Sequence, residues 1–466
     1  MATMCLVHPV CLFLLSLLPF ILSSPTPLYL TPLLSSGNYR EAQSQSHVTD
    51  FIPGVPEAGY SGFFTIDEAR GTHLHFWFMP KRNCASWKTE PLALWLQGGR
   101  GLSTLRGALQ ENMFPFMTGE DGVVRVNDND LTQYANILMV DNTRVGFSHT
   151  LDPTYMVTDY DMLAEELYAA LTQFFLLFPD VKRSVYIGGT SAAAFKIPPL
   201  GEMILRRNRT VVDLSGVIIG DGFVDLETDV SKVGDYMYNF GLIEKAVARN
   251  TSNTLEALHA TSKAGNSELT THYFIAGISD EINKRIGFKN MDQQDIMQAF
   301  RFHDHWLDFI ELPEIRAKLH VGQLPYTVIY GPAEKFFGIY PGKRPKDRLE
   351  YILNKRIPLL KYHGQYDGIL TYQSSIATLY NLDWYGQNCL RTKQFRRSQV
   401  WVSGQLFGYI RRCFGLWEVL AIQSPHVVQL KKPKALWLMA YRFMKNTTSQ
   451  GSAPHGFDSH RGRNLF

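Results

Sequence analysis

Several short segments of the chain are continuously apolar and end at a glycine or a polar residue. They are P-L-A-L-W-L at 91–96, A-N-I-L-M-V at 135–140 and L-S-G-V-I-I at 214–219. A strand exposed on one face alternates apolar and polar residues, whereas a strand buried on both faces of a parallel sheet is apolar throughout. The pattern therefore predicts a mostly parallel central sheet. Two earlier strands, at 63–66 and 74–78, are separated by a glycine-marked turn.

After the apolar segment at 135–140, the apolar residues are spaced as in an amphipathic helix. Apolar residues recur at intervals of mostly three or four at Leu163, Leu167, Ala170, Leu171, Phe174 and Phe178. Thr158 or Asp159 is a suitable helix N-cap, and Pro179 ends the helix. A strand, this helix and a further strand at 185–187 form a βαβ unit, for which we predict parallel pairing of the two strands. We therefore expect an α/β fold with helices flanking the sheet.

Ser191 follows the strand at 185–187 after two glycines and a threonine, in the segment S-V-Y-I-G-G-T-S-A-A-A. A serine at a sharp strand-to-helix turn presents its hydroxyl above the sheet, and the backbone N–H groups that follow are available to an oxyanion. The pattern thus makes Ser191 a candidate nucleophile. The other interpretation, a serine that only caps a helix, fits the local sequence equally well.

Asp367 and His426 lie in corresponding places after two later strands. Asp367 is in H-G-Q-Y-D-G, after the strand at 357–362, and His426 is in Q-S-P-H, after L-W-E-V-L-A-I. Serine, aspartate and histidine therefore occur in the order of the α/β-hydrolase triad, with the histidine as general base and the aspartate orienting it. Taken alone, Asp367 could be a turn residue and His426 a surface histidine. The interpretation as a triad therefore depends on the joint arrangement of all three residues.

Composition excludes several other classes of protein. The 466 residues are 45% apolar, which favours a large folded core. The net charge is only +3 and no basic run is interleaved with aromatic residues, so nothing in the sequence indicates binding to nucleic acid. His303, Asp304 and His305 lack the spacing of metal ligands on a rigid element. We predict no metal and no cofactor, with peptides as the expected partners, while the sequence leaves the oligomeric state open.

The N-terminus has the features of a secretory signal peptide, which we assign to residues 1–24. An apolar run ends before Ser23 and Ser24, and Pro19 interrupts it, so a membrane anchor fits less well. No later segment is apolar enough to span a membrane. We therefore expect a secretory-pathway protein, secreted or endolysosomal. Three sequons are compatible with glycosylation, at Asn208, Asn250 and Asn446.

Cysteine usage allows at most one disulfide in the mature chain. Cys5 and Cys11 are removed with the signal peptide, which leaves Cys84, Cys389 and Cys413. Cys389 and Cys413 both precede the last strand, and we hypothesise that they pair with each other.

Changes in the polarity and the predicted secondary structure of the sequence divide the chain into four parts after the signal peptide. Residues 25–245 form the first part of the core, with a polar, proline-containing arm as far as about Thr49. Residues 246–341 are polar and helical and form an insertion suited to a cap over the site. Residues 342–450 complete the core, and 451–466 are a polar tail.

From about Tyr60 to Phe443 the chain resembles the serine carboxypeptidases, and among them the vitellogenic-like carboxypeptidases of animals. The resemblance rests on motifs in conserved order: Y-S-G-F-F, W-L-Q-G-G-R-G-L-S, V-D-N-T-R-V-G-F-S, G-T-S-A-A, I-G-D-G-F, F-I-E-L-P-E-I-R-A-K-L-H-V, H-G-Q-Y-D and S-P-H-V-V-Q-L-K-K-P. The family's fold is the α/β-hydrolase fold. Its activity is removal of a C-terminal residue through an acyl-enzyme.

The resemblance also implies roles for residues beside the triad of Ser191, Asp367 and His426. Backbone N–H groups of Gly99 and Ala192 would form the oxyanion hole, and Gln97 and Glu111 would bind the terminal carboxylate of the substrate. Arg100, on the same glycine loop as Gln97, is a further candidate for that carboxylate because a guanidinium binds it bidentately. The other interpretation of Arg100 is a solvated loop charge.

This sequence departs from the family pattern around the site. Thr190 replaces the glutamate that would share a proton with Glu111, and Ala192 replaces a tyrosine; the other changes are at Arg100, Leu102, Met113, Phe114, Pro425 and Gln429. Two functions therefore stand side by side: a working serine carboxypeptidase, and a secreted family member that has lost catalysis and binds peptides. Retention of the triad favours the first. Transferase chemistry from the same acyl-enzyme is a third.

Overall fold

The computed structural model describes most of the mature chain. The described residues are 26–99, 101–207, 209–266, 269, 281–288, 294–298, 303–329, 331, 343–392 and 395–448. The predicted signal peptide and polar tail lie outside these ranges, as do Arg100, Asn208 and parts of the predicted insertion. Within the described ranges, no helix combines the length and apolarity needed to cross a bilayer.

A large mixed sheet forms the centre of the molecule. Its strands, with a separate β5–β6 hairpin, are β1 (His47–Ile52), β2 (Val55–Asp67), β3 (Thr72–Met79), β4 (Leu92–Leu96), β5 (Phe116–Thr118), β6 (Val124–Val126), β7 (Asn136–Val140), β8 (His149–Thr150), β9 (Ser184–Thr190), β10 (Asp213–Gly220), β11 (Leu359–Gly364), β12 (Ser398–Val402), β13 (Gln405–Cys413) and β14 (Leu416–Ala421). The order across the sheet is β1-β2-β3-β7-β4-β9-β10-β11-β14-β13-β12, with β8 against β3. The six strands from β7 to β14 are parallel, and the flanking pairs are antiparallel.

Helices cover both faces of this sheet. They are α1 (Thr31–Ser35), α2 (Tyr39–Ser46), α3 (Thr104–Gln110), α4 (Tyr160–Leu177), α5 (Ile197–Arg206), α6 (Leu226–Asp229), α7 (Val233–Asn239), α8 (Lys245–Lys263), α9 (Glu281–Ile286), α10 (His305–Ile310), α11 (Pro313–Lys318), α12 (Pro345–Asn354), α13 (Tyr372–Tyr380), α14 (Gln387–Leu390), α15 (Val428–Lys431) and α16 (Pro433–Thr448). One apolar core contains α4, α5 and α12, and the core on the other face contains α3 and α16. The predicted α/β class is confirmed.

The continuously apolar segments are buried strands. Every residue of β4 and of β7 is buried. However, β4 lies between β7 and β9 and pairs in parallel with both. The predicted direct pairing of the two strands that α4 connects is therefore wrong, because the fully buried β4 lies between them. The helix itself forms as predicted, with Asp159 Oδ1 accepting a hydrogen bond from the Met162 N–H at 2.8 Å.

The N-terminal segment is not an unstructured arm. It contains α1, α2 and the start of β1, and it packs Leu30, Leu34 and Ala42 into the core. These few apolar residues are spaced widely among polar ones, so the sequence pattern understates how much of the segment is buried. The prediction of an arm as far as Thr49 is wrong for this reason.

The C-terminal half contains a disulfide between Cys389 and Cys413, as hypothesised from the sequence, while Cys84 is a free thiol. This disulfide joins α14 to the end of β13, and it thereby links a helix to the antiparallel edge of the sheet. Between β10 and β11 the described residues form the helices α6 to α12. The boundaries of 246–341 for a cap remain a prediction.

Candidate active site

The carboxyl ends of four neighbouring parallel strands meet at one edge of the sheet. Thr190 at the end of β9 pairs with Gly220 at the end of β10, and Gly364 at the end of β11 pairs with Ala421 at the end of β14. The loops that follow these strands carry Ser191, Asp221, Asp367 and His426, respectively. Loops at this edge are where open α/β sheets bind their ligands.

Ser191 lies at an abrupt change from strand to helix. β9 continues through both glycines to Thr190, and a 3-10 helix covering Ser191–Phe195 begins at once. Ser191 has a φ of +61°, in the left-handed region that is unfavourable for a residue with a Cβ and that often marks functional sites. A Cβ on Gly189 would lie 2.5 Å from the Ala193 Cβ, so this glycine allows the helix to fold back closely onto the strand.

Asp367 and His426 are in direct contact and buried. The His426 Nδ1 lies 2.7 Å from the Asp367 Oδ2, and their exposed fractions are 4% and 0%. The other Asp367 oxygen, Oδ1, accepts hydrogen bonds from the N–H groups of Ile369 (2.8 Å) and Leu370 (3.0 Å). The carboxylate is therefore fixed from both sides. A neutral His426 that donates from Nδ1 has Nε2 as its basic nitrogen.

Further contacts hold the His426 loop against the turn that carries Ser191. The Gln429 Nε2 lies 3.4 Å from the Thr190 Oγ1, and Thr190 directly precedes Ser191. In addition, the backbone N–H of His426 donates to the Gln294 carbonyl at 2.7 Å. A residue of the predicted insertion thus fixes the loop of the candidate base.

The glycine loop after β4 packs directly on the Ser191 turn. A Cβ on Gly98 would lie 2.4 Å from the Thr190 carbonyl oxygen and 3.0 Å from the Ser191 Cβ. Only glycine permits this approach. Gly99, with a φ of +69°, and Ala192, the first residue after the serine, therefore lie next to the candidate nucleophile. Arg100 is outside the described residues.

A buried amide and carboxylate cluster lies beside the same turn. The Glu111 Oε1 accepts from the Gln97 Nε2 at 2.7 Å, and its Oε2 accepts from the Gln429 Nε2 at 2.9 Å. All three side chains are at most 5% exposed. Gln97 and Glu111 are candidates from the sequence, whereas Gln429 was recognised there only as a departure from the family pattern. Its position three residues after His426 was the available signal.

Asp221 is a further residue of this site that the sequence analysis did not select. Its side chain is completely buried, and its Oδ1 accepts from the Gly364 N–H at 2.7 Å. One atom each of Asp221, Asp367 and His426 lie within 4.8 Å of one another. Burial, and then the charge of Asp367, raise the pKa of Asp221 well above its usual value. The available signal was its place after a strand end, in I-G-D-G-F.

This trio also meets the distance requirement for metal ligands, but its shortest contact is a hydrogen bond between an imidazole nitrogen and a carboxylate. We therefore describe it as an acid–base cluster. His303 and His305 stack on each other with ring centroids 5.4 Å apart and do not belong to this group.

Two of the three sequons lie in the described residues. Asn250 on α8 and Asn446 on α16 are both exposed. Their glycosylation stays a prediction, as does that of Asn208.

The fold defines the class of protein. The mixed, mostly parallel sheet, with serine, aspartate and histidine on loops after its strands, is the α/β-hydrolase arrangement. A prohormone-processing carboxypeptidase, Kex1Δp from Saccharomyces cerevisiae, has the same fold. Its structure matches with a TM-score of 0.72 at 18% sequence identity, covering 87% of this chain and 96% of that one.

The sequence comparisons define the family within that class. The model of the serine carboxypeptidase family matches residues 52–446, and the chain therefore belongs to the serine carboxypeptidase family. Among its relatives, the probable serine carboxypeptidase CPVL of Homo sapiens is 28% identical, with 90% of each chain covered. The vitellogenic carboxypeptidase of Aedes aegypti is also 28% identical, with 88% of each chain covered.

Proposed function

We propose that this protein is a serine carboxypeptidase that hydrolyses the C-terminal peptide bond of peptides through an acyl-enzyme on Ser191. The observation that carries the proposal is the 2.7 Å contact between the His426 Nδ1 and the Asp367 Oδ2, on loops beside the strained turn at Ser191. Membership in a family of hydrolases supports the reaction class.

In the proposed mechanism, His426 Nε2 takes the proton of the Ser191 hydroxyl as its oxygen attacks the carbonyl carbon of the last peptide bond. The N–H groups of Gly99 and Ala192 stabilise the oxyanion. His426 then gives its proton to the departing amino acid, and the C–N bond breaks. In the second half, His426 deprotonates a water that attacks the ester, and Ser191 recovers its proton. Asp367 stabilises the imidazolium in both halves.

The buried cluster beside the turn is the proposed binding site for the terminal carboxylate of the substrate. Gln97 and Gln429 provide amide donors next to Ser191, and Glu111 aligns both of them. In the family pattern a second carboxyl stands at position 190, and two such groups bind an anion only while they share a proton. With Thr190 in that place and Glu111 as the remaining carboxyl group, the requirement weakens. We therefore propose binding that persists toward neutral pH, with Arg100 as a further contact.

The secretory route completes the proposal. The apolar segment within residues 1–24, the single disulfide and the exposed sequon asparagines, Asn250 and Asn446, suit a protein that is secreted or delivered to the endolysosomal lumen.

A second candidate is a peptide-binding protein without catalysis. Thr190 and Ala192, the residues on either side of Ser191, both depart from the family pattern, which favours this alternative. It predicts that peptides with a free C-terminus bind without being cleaved.

Covalent labelling separates the two candidates. The wild-type protein and the variants Ser191→Ala and His426→Ala would be treated with a fluorophosphonate and examined by intact mass. The proposal requires a single adduct on the wild type, none on Ser191→Ala, and a rate lower by about 10³-fold or more for His426→Ala, because the hydroxyl needs its base. A folded wild-type protein that binds free-acid peptides but never forms the adduct would establish the binding protein instead.

A further inference from the structure

A wide cleft lies outside the candidate active site, between α7, α8, α13 and the β12–β13 edge of the sheet. Its volume is about 710 Å³. Its ionisable lining consists mainly of basic side chains, with one acidic residue and a tyrosine among them. We call it the cationic cleft, and its charged residues are Lys232, Lys245, Arg249, Arg397, Arg411 and Asp235.

The cleft concentrates positive charge that the chain as a whole does not have. Five cationic side chains face one carboxylate there, while the entire chain carries a formal charge of only +3. Lys232 lies 3.5 Å from Asp235, and Arg411 binds the buried Glu418 at 2.6 Å. For the remaining three cations, no ion pair with a carboxylate occurs in the part of the chain that the structure describes. Like charges gathered without counter-charges repel one another, and an anion between them removes that repulsion.

Two of the arginines are held in fixed positions around Tyr372, at the start of α13. The Arg411 Nη2 donates to the Tyr372 hydroxyl at 3.0 Å, and its Nε donates to Glu418. The Arg397 guanidinium lies over the Tyr372 ring, 4.7 Å from its centroid. A guanidinium fixed by stacking loses little side-chain entropy when it binds a ligand, and its fork of N–H donors fits a tetrahedral oxyanion.

We propose that the cationic cleft binds a multiply charged oxyanion, a phosphate or sulfate group, between Arg397, which directly precedes β12, and Arg249 and Lys245 on α8. A dianion is favoured over a monocarboxylate because three cations, none of them in an ion pair with a carboxylate among the described residues, line the space. The group is either a free ion or the ester of a larger molecule. The proposal does not rest on catalysis, since none of these side chains belongs to the candidate active site.

The cleft is nevertheless connected to the loop of Asp367. Tyr372 follows Asp367 by only five positions, and the Tyr236 hydroxyl on α7 donates to the Gln365 carbonyl at 2.6 Å. Two walls of the cleft therefore attach to the segment that orients His426.

Calorimetric titration tests the proposal with inorganic phosphate and with glucose 6-phosphate, at constant ionic strength set with sodium chloride. The wild type should bind with one saturable site. Arg397→Gln and Arg249→Gln should each weaken binding about tenfold, as expected for the loss of one charge-assisted contact. Tighter binding of inorganic phosphate would identify a free-ion site, and tighter binding of the ester would identify an esterified ligand.

Arg356→Gln is the matched control, because Arg356 also stacks on a tyrosine, 3.5 Å from the Tyr385 centroid, outside the cleft. It removes the same charge and should leave the affinity unchanged. Circular dichroism and the melting temperature establish that each variant is folded. The proposal is overturned if the wild type shows no saturable binding of either probe, or if Arg356→Gln weakens binding as much as the cleft variants.

Discussion

Asp221 and Asp367 place a carboxylate oxygen each within 4.8 Å of the other, and both side chains are completely buried. Two ionised carboxylates at this distance in a dry site are strongly unfavourable, so one proton is held between them. Asp367 binds three donors, the Ile369 and Leu370 N–H groups and His426. Among the described contacts Asp221 accepts from the Gly364 N–H and lies 3.4 Å from the Nδ1 of His363, whose pKa burial lowers well below its usual value. Since burial and the charge of Asp367 raise the pKa of Asp221 well above its usual value, the proton resides on Asp221.

Asp221→Asn tests this assignment because asparagine is neutral, accepts from the Gly364 N–H and donates toward Asp367. We expect kcat/KM to remain within about threefold of the wild type, with its acidic limb unmoved, whereas Asp221→Ala should lose about tenfold through the missing hydrogen bond to Asp367. The pH profile of kcat/KM, or of the fluorophosphonate labelling rate, measures both. An acidic limb shifted to lower pH in Asp221→Asn would mean that Asp221 is ionised, since removing a negative charge lowers the pKa of a nearby histidine.

Gln429→Leu should affect recognition of the substrate C-terminus more than the chemical step. It removes the amide that donates to Glu111 and contacts Thr190, at nearly constant volume. We expect KM for free-acid peptides to rise about tenfold, the loss of one hydrogen bond to a charged group, with kcat changed little. C-terminally amidated peptides are the control. A similar loss for the acids and the amides would assign Gln429 to the structure of the His426 loop alone.

Arg100→Ala examines the other candidate for the same carboxylate. If the guanidinium binds it, KM for free-acid peptides should rise by about tenfold while the matching amides change little, as for a charge-assisted contact. Cleavage by the wild type should persist toward neutral pH, because position 190 carries no carboxyl group. Equal effects on acids and amides would indicate a solvated loop charge.

The disulfide between Cys389 and Cys413 should contribute substantially to stability. It closes a loop with a sequence separation of 24 residues, which corresponds to about 3.5 kcal/mol of loop-closure entropy. The double variant Cys389→Ala/Cys413→Ala should lower the free energy of unfolding by about that amount, measured by urea titration. Cys84→Ala, which removes the free thiol, is the control. A double variant as stable as the control would show that the covalent link is not what holds α14 to the sheet.

His75 should make the protein less stable in acid. It is a buried residue of β3, with the Ser61 hydroxyl on β2 as its partner at 3.0 Å, and burial lowers its pKa to about 3. The unfolded chain takes up a proton below the ordinary pKa of about 6.5, whereas the folded protein does not until about 3. The stabilisation is therefore complete above about pH 6.5 and is lost as the pH falls from there toward 3.

His75→Gln should reduce that dependence. Between pH 7 and 4 the wild type should lose up to about 3 kcal/mol more than this variant, whatever their relative stabilities at pH 7. Urea titrations at several pH values measure the difference. Parallel pH dependences for the wild type and His75→Gln would contradict the expectation.

The sequence by itself determined which segments form the buried strands of the sheet. It also determined that the candidate catalytic residues follow the ends of such strands. Continuous apolarity identifies β4 and β7 because a strand buried on both faces tolerates few polar side chains. Each parallel strand ends at the same edge, so Ser191, Asp367 and His426 were expected together from their positions after strands. These signals are local, so they can be interpreted without knowing which strands are neighbours in the sheet.

Only the tertiary structure decided the features that depend on contacts between residues distant in the chain. It places β4 between β7 and β9, because the order of strands in a sheet depends on packing and not on their order in the sequence. It brought Asp221 next to Asp367, 146 positions apart in the numbering, and Gln429 next to Glu111 and Thr190. It also gathered the basic residues of the cationic cleft, which are scattered from position 232 to 411. The partner of a single polar residue cannot be predicted from the sequence around it. The burial, the pKa and the neighbouring charges of that residue all depend on groups that only the fold brings close to it.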